Sequence, residues 1–451
     1  MAEKKKTKKK MRPDRVKMKM QDASKRIHNF DEVALGYTRE EATQEAQRCL
    51  ACKKAPCNEA CPLRCCPEEY IAFLEEGDFD TALAQILEHN PFPSACGRVC
   101  GYCEDRCTVA KKGTALAIAW LKRAAADYGQ ATITAGKPTG KNVAIIGSGP
   151  AGFTVAWECA KAGHGVTIFE AFRLEGGMLW AGIPSYRLPR EALEKDVQRI
   201  LDMGVELRLN SPIRSERELL DLLGQYDAVF LGIGAHEPRW MGIEGEDLEG
   251  VVQAIDFLRD VNLGREAKVG KKTAVIGGGN TAMDAVRTAR RLGAEAFVVY
   301  RRAREQMPAG EAEIEETEEE GIVFNFLTNP KRILGKDGEM TGLECLRMEL
   351  GEPDESGRRR PVPIEDSEFI IEADMMIQAI SQRPDITWLD QESKFRTTRW
   401  RTFEVDPETN ETSVAGVFAA GDAVSGPATV VEAIADARKA AQGILKYLEQ
   451  K

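Results

Sequence analysis

The chain has no apolar run near the roughly 20 residues that a membrane span requires, and no apolar core near its start of the kind a secretory signal carries. Those absences lead to the expectation of a cytoplasmic protein without a membrane span. It has no excess of basic charge either. A net charge of −10 argues against nucleic acid as a main partner. Cysteine is almost absent outside one region: of the twelve, ten fall between Cys49 and Cys107, and only Cys159 and Cys345 lie elsewhere. In a reducing compartment that crowding reads as metal ligands or redox groups, and not as a disulfide framework.

What is present suits a soluble globular chain. Its 451 residues suffice for about three domains with real cores, and 43% are hydrophobic against 30% charged. Lys4, Lys5, Lys6, Lys8, Lys9 and Lys10 make a basic start, read as a solvated tail over residues 1–30. The acidic run Glu311–Glu320 reads as the wet face of a helix. From Asp31 to about Tyr128 short amphipathic helices are expected, over Arg39–Leu50, Glu68–Glu76, Phe79–His89 and Ala115–Ala126. The cysteines fall at their ends and between them, so a small helical module over residues 31–140 is expected to fold around its ligands.

At Lys141 the texture changes to strand, glycine loop, helix, strand. GSGPAG supplies Gly147, Gly149, Pro150, Ala151 and Gly152 between the apolar Asn142–Ile146 and a helix through Ala160. In that spacing the first glycine permits the turn, the second admits a pyrophosphate, and the third lets helix and strand pack. A second strand ends in Glu170, an acid able to accept a ribose hydroxyl. The grammar returns in GGGNTA, with Gly277, Gly279, Asn280, Thr281 and Ala282, but here the second strand ends in Tyr300-Arg301-Arg302. Arginines at that place suit a 2′-phosphate, which selects NADPH over NADH.

Near the end, GVFAAGDA puts Gly421 and Asp422 after an apolar strand, and Thr429 and Val430 open a helix whose start can face a flavin carbonyl. This segment and the first loop serve one FAD if the NADPH unit is inserted within a split flavin domain. Gly232 and Gly234 mark the crossing between them. The expected fold is therefore α/β: two nested Rossmann-like domains behind a helical module. The flavin domain takes residues 141–237 and 386–451, and the NADPH domain takes 238–385.

The cysteines divide by spacing into Cys49, Cys52, Cys57, Cys61 and Cys96, Cys100, Cys103, Cys107. Zinc accepts four thiolates; so do iron–sulfur clusters, and Cys61-Pro62 echoes a ferredoxin run. A flavin beside one-electron carriers makes a working circuit, which favours [4Fe–4S] clusters, one or two in number. Cys159 and Cys345 read as small core residues.

GSGPAG, FEA at Phe169–Ala171, GGMLWAGIPSYRLPR at Gly176–Arg190, GGGNTAMDA, YRRAREQMPA and GVFAAGDA together resemble the small (beta) subunit of NADPH-dependent glutamate synthase. The wider group includes the large subunit of NADH-dependent ferredoxin:NADP oxidoreductase, sulfide dehydrogenase and the N-terminal half of dihydropyrimidine dehydrogenase. The similarity runs from about Phe30 to the end. It implies FAD, with Gly177 and Met178 in its site, NADPH, and two interlaced clusters. Carried over, Cys49, Cys52, Cys57 and Cys107 hold the first cluster. Cys61, Cys100 and Cys103 hold three corners of the second. The remaining family ligand is a Glu or Gln, and the aligned residue here is Lys122, which as a protonated amine cannot ligate. Cys65, Cys66 or Cys96 is left as the replacement, or the second cluster is a three-iron centre or absent.

The implied chemistry passes a hydride from NADPH to the flavin and single electrons through clusters to a protein partner that carries the terminal reaction. A hetero-oligomer follows. No catalytic acid or base is expected, because the protein's task is to position and shield the cofactors. A thioredoxin-reductase-like disulfide reductase would need a CxxC beside the flavin, and neither βαβ region has one. A zinc-stabilised nucleotide-binding adaptor would not need two complete dinucleotide sites.

Overall fold

The computed structural model describes residues 12–355 and 357–451, so the lysine-rich start lies outside the described residues. The helical module begins earlier than expected. Met18 and Arg26 are buried, and a short helix, Ala23–Arg26, is capped by the Asp22 carboxylate accepting from the Ser24 N–H at 2.9 Å. A solvated tail reaching to residue 30 is therefore corrected. From Arg12 on the chain is tied down: the Arg48 guanidinium donates to the Arg12 and Pro13 carbonyls at 3.1 and 2.9 Å.

The module's helices start where local chemistry tells them to. Thr38 and Glu41 form a reciprocal capping box before Arg39–Ala46, and Asp78 caps Phe79–Leu87. Proline opens Pro56–Ala60, Pro67–Glu75 and Pro93–Val99, where its missing N–H costs nothing. A last helix, Ile118–Tyr128, closes the group. These helices do not keep a core of their own. Leu83, Ile86 and Phe92 belong to one buried cluster with Phe153, Val155 and Trp157 of the first glycine-loop helix, and Phe92 meets Phe153 edge-on at 6.1 Å. The buried Asp196 carboxylate, pushed up to about 6 by desolvation, also accepts from the Ser94 and Ala95 N–H groups across that seam.

Two parallel sheets follow. In the first, Asn142–Ile146 lies between Gly165–Phe169 and Ala228–Leu231; Glu206–Arg208 and Val417–Ala419 form its edges. The C-terminal strand thus completes the sheet that the first glycine loop begins. In the second, Lys272–Ile276 lies between Glu295–Val299 and Met375–Gln378, with Val251–Gln253 and Val323–Asn325 outside. Glu237–Pro238 pairs with Gln382–Arg383 where the chain passes out to the second sheet and back. An antiparallel sheet built on Thr328–Lys336 and Glu339–Pro353 is an element the sequence reading did not foresee.

The acidic run is only partly wet. Its helix, Glu311–Glu319, turns Glu313, Glu316 and Glu320 onto buried arginines. Glu320 accepts from Arg26, Arg287 and Arg291 at 2.6–3.1 Å, and burial with three guanidinium partners makes this an internal ion cluster. The SYR of the GIPSYRLP segment closes the same cluster. Arg187 pairs with Asp284 at 2.8 Å and Glu313 at 2.6 Å, and the Arg291 guanidinium stacks 3.9 Å from the Tyr186 ring.

Candidate functional site

Three hollows are lined by the glycine loops or by thiols. The first, of about 270 Å³, is walled by Gly147, Gly149, Pro150 and Ala151 from the first loop and by Asp422, Thr429 and Val430 from the C-terminal segment. Segments far apart in the sequence therefore share one cavity, along with Glu170, Gly177, Met178, Gly232 and Gly234. Gly149 has nothing within 4 Å of where a Cβ would stand, so its backbone face is open to a phosphate. A Cβ on Gly152 would sit 1.9 Å from the Gly147 carbonyl oxygen, so the helix can start there only without a side chain. Gly421, φ +68, sits behind Asp422 against Ala151.

The charges in this cavity are set by burial. Glu170 is buried; its carboxylate clamps the loop by accepting from the Ser148 N–H and Oγ at 2.9 and 2.6 Å and from the Phe172 N–H at 2.8 Å. Desolvation pushes Asp422 up to about 6. The long helix Val430–Glu449 begins at Thr429 with a capping box to Glu432, presenting its positive end to the cavity. His236, which sequence reasoning missed, also lines it. Desolvation and the neighbouring Arg259 pull its imidazole down to about 4, and its Nδ1 has no partner within the protein. A buried acceptor or donor without a partner is what a polar ligand edge would satisfy. The only sequence signal for it was its place two residues after Gly234. The open glycine face, the helix start and the orphaned imidazole nitrogen fit a dinucleotide flavin.

The second hollow, of about 710 Å³, holds Gly277, Gly279, Thr281, Arg301 and Arg302 in its lining. Asn280 and Ala282 stand differently. The Asn280 side-chain Oδ1 accepts from the Gly310 N–H at 3.3 Å, and Ala282 is buried under the loop. Arg301 is exposed at the rim, whereas Arg302 is buried and held by Asp354 at 2.6 Å. A bland surface role therefore does not describe Arg302. The two hollows adjoin along the backbone: Pro427 lines the second and Ala428 the first.

The cysteines sort by fold, not by spacing. Cys49, Cys52, Cys57 and Cys107 line one small hollow with Glu68, beneath Ile71, Leu116 and Ile118. Burial and Glu68 push the Cys57 thiol up to about 12, so an anionic sulfur there needs a cation. Cys61 leaves this group because the chain turns extended at the end of Pro56–Ala60 and points the residue into the core. Its thiol is pulled down by hydrogen bonds from Cys103 and Cys65. The contiguous quartets are thus corrected, and Cys107 and Cys61 exchange places between them. Cys96 is fully buried with its thiol 3.8 Å from Asn90 Oδ1. Cys159 and Cys345 are buried core residues, and no cysteine lines the 270 Å³ cavity. Among the described residues no three His, Cys, Asp or Glu side chains close on a single metal ion. A sulfur-rich donor set, four thiols around one hollow and Cys61, Cys65 and Cys103 together in the core, fits polynuclear iron–sulfur ligation. Tyr102, between Cys100 and Cys103, places its hydroxyl 3.5 Å from Thr429 Oγ1 at the mouth of the first cavity.

Two nested dinucleotide-binding sheets fused to a thiol-lined helical module define a pyridine-nucleotide-linked oxidoreductase that also handles iron and sulfur. Sequence comparison agrees. Residues 141–437 match the family model described as Pyridine nucleotide-disulphide oxidoreductase, and residues 26–133 match Dihydropyrimidine dehydrogenase domain II, 4Fe-4S cluster. The chain belongs to the pyridine nucleotide-disulphide oxidoreductase family, in the branch that contains the NADPH glutamate synthase small chains. It is 35% identical to the Escherichia coli glutamate synthase [NADPH] small chain, covering 93% of this chain and 94% of that one. It is 42% identical to the NADP(+)-dependent formate dehydrogenase subunit beta of Moorella thermoacetica and to the NADPH-Fe(3+) oxidoreductase subunit beta of Geobacter sulfurreducens. The chain spans only 60% and 64% of the length of those two. Among solved structures, Mycobacterium tuberculosis FprA in complex with NADPH shares the fold, with a TM-score of 0.59 at 19% identity over 70% of this chain and 85% of that one. Among the described residues no helix is long and apolar enough to cross a membrane.

Proposed function

We propose that this chain is the NADPH-oxidising, electron-distributing subunit of a larger enzyme, of the glutamate synthase small-chain type. The observation that carries the reading is the junction at Pro427–Thr429. There the arginine-lined hollow, the glycine-and-helix cavity and, through Tyr102, the Cys100–Cys103 loop all meet. FAD held in the first cavity would convert the electron pair of NADPH into single electrons for [4Fe–4S] clusters.

This chain's residues supply position and shielding. Gly149 would open its backbone to a pyrophosphate, with Gly147 making the turn and Gly152 letting the helix pack close, and the Thr429 helix start would face the flavin. Arg301 and Arg302 recognise a 2′-phosphate, with Asp354 fixing Arg302. Cys49, Cys52, Cys57 and Cys107 hold the first cluster. The division into a helical module over 31–140, a flavin domain over 141–237 and 386–451, and an NADPH domain over 238–385 belongs to this reading. No side chain need donate or remove a proton in the electron transfer itself. A disulfide-reductase role is disfavoured by the cysteine-free flavin cavity.

A second reading differs only in the partner. The higher identity to the formate dehydrogenase and Fe(3+) oxidoreductase beta subunits favours an electron acceptor other than a glutamate-forming subunit. Anaerobic titration with NADPH and then NADH, followed by absorption and paramagnetic resonance, tests the shared part. Flavin bleaching and cluster signals with NADPH are expected, and protein that is purified colourless and sulfide-free would end the proposal. Co-purification from the native source then distinguishes the partners.

A further inference from the structure

Six cysteines of the helical module remain once Cys49, Cys52, Cys57 and Cys107 are assigned to the first cluster: Cys61, Cys65, Cys66, Cys96, Cys100 and Cys103, of which all but Cys66 and Cys100 are buried. Where related proteins are expected to carry a Glu or Gln, this chain has Lys122. It is 2% exposed, with Tyr70, Cys100, Cys65 and Cys96 as its main electrostatic neighbours. A lysine offers no anionic oxygen to iron, so a fourth donor has to come from the cysteines around it.

The path of the backbone separates the candidates. Arg64 and Cys66 both adopt left-handed conformations, φ 52 and 48, which cost a residue with a Cβ about 1 kcal/mol or more each. These reversals send Cys65 inward, to full burial, and leave Cys66 outside. Cys66 is also occupied: its N–H donates to Asn58 Oδ1 at 3.0 Å, and its thiol donates to the Arg64 carbonyl at 3.5 Å. Cys96 is turned to Asn90. Cys61, by contrast, hydrogen-bonds with both Cys65 and Cys103, so those three thiols already form one chain of contacts with Cys100 beside them.

We propose that Cys61, Cys65, Cys100 and Cys103 are the four ligands of a second [4Fe–4S] cluster, with Cys65 taking the position of the missing carboxylate or amide. Each thiol releases its proton to solvent as its sulfur binds iron. Lys122 then stands next to the cluster as a buried cation facing four thiolates, in place of a ligand. Tyr102, inside the Cys100–Cys103 loop, makes this the cluster beside the flavin cavity. The inference rests on the electron-transfer reading above, and its test separates the two.

The full chain and its Cys65→Ser, Cys66→Ser and Cys96→Ser variants are purified without oxygen. Iron, sulfide and flavin are then assayed per chain, with paramagnetic resonance of the oxidised and reduced protein. Cys65→Ser is expected to halve iron and sulfide, or to show a three-iron signal when oxidised, at unchanged flavin content. Cys66→Ser and Cys96→Ser are expected to match the parent. Full iron in Cys65→Ser, or loss on Cys96→Ser instead, overturns the assignment. A parent with one cluster and normal flavin overturns it while sparing the general reading; a colourless parent without sulfide ends both. Should Cys65→Ser lose its flavin, the double variant with Lys122→Glu supplies the carboxylate donor again. Restored iron and flavin are expected of it, and failure to restore them refutes the ligand exchange.

Discussion

Replacing Glu320 with Gln tests whether the NADPH-binding half is locked to the rest of the chain by charge. The carboxylate is buried and accepts from three guanidinium groups that come from two places: Arg26 in the N-terminal segment, and Arg287 and Arg291 on the Asn280–Arg291 helix. Burial alone would raise its pKa, yet the arginines outweigh burial and hold it down to about 2, from 4.5. At about 1.4 kcal/mol per unit that is roughly 3 kcal/mol of favourable interaction, at the low end of the ~3–5 kcal/mol lost when a buried pair is broken. Because the folded carboxyl lies below its ordinary value, this contribution is present above pH 4.5 and is lost as pH falls toward about 2. The measurement therefore belongs at neutral pH. A glutamine keeps the shape but removes the charge and turns an amide N–H toward donors. Hydrogen exchange read by mass spectrometry should show the Glu311–Glu319 helix and the Ala23–Arg26 segment opening about a hundredfold more often, the equivalent of about 3 kcal/mol. An effect under about threefold would refute the idea that this cluster fastens the two halves.

Three further substitutions probe the cavities. Arg302→Ala should lower the preference for NADPH over NADH by about 10- to 100-fold, the worth of a charge-assisted hydrogen bond of about 1.5–3 kcal/mol; steady-state kcat/KM with both nucleotides decides it, and an unchanged ratio contradicts the 2′-phosphate role. Gly152→Ala sets a Cβ 1.9 Å from the Gly147 carbonyl oxygen, so the purified variant should carry much less flavin, as the ratio of visible to ultraviolet absorbance will show. In flavin-free protein, His236 is held down to about 4 from 6.5, so it contributes stability that is present above pH 6.5 and lost as pH falls toward 4. With allowance for its partial exposure that is about 2 kcal/mol; His236→Gln should flatten the fall of Tm across that window, and an unchanged slope refutes it.

The sequence was most legible where chemistry forces a residue type. Gly152 can be nothing larger, and proline or capping pairs mark most of the module's helix starts, so the two βαβ units and their loops were readable to within a residue or two. The Asp337-Gly338 turn, both residues at positive φ, was an equally plain hairpin signal between Lys336 and Glu339 that went unread, and the antiparallel sheet was missed with it. The acidic run misled for a different reason. Periodicity tells which residues share a helix face but not whether arginines wait opposite, and Arg26 lies 294 residues from the Glu320 it binds. His236 carried no pattern at all, since its role comes from a cavity assembled by distant segments.

Spacing failed at the cysteines because ligand grouping is a property of the chain's path. Cys57 and Cys61 are close in sequence, yet one turn of helix and an extended exit leave Cys57 in the thiol-lined hollow and send Cys61 into the core, while Cys107 returns to the first group from far along the chain. The same interlacing explains why the helical module shares a core with the first dinucleotide sheet instead of standing apart. If the Cys100–Cys103 loop must meet the flavin cavity through Tyr102 and Thr429, contacts of a few ångströms, then the module cannot hang on a flexible linker. The buried seam of Phe92 with Phe153, and of Ser94 and Ala95 with Asp196, holds that spacing fixed. The Glu320 cluster does the same for the NADPH-binding half. Both ends of the electron path are thereby anchored on one rigid flavin sheet, so distances between donors and acceptors need not be re-established at every turnover.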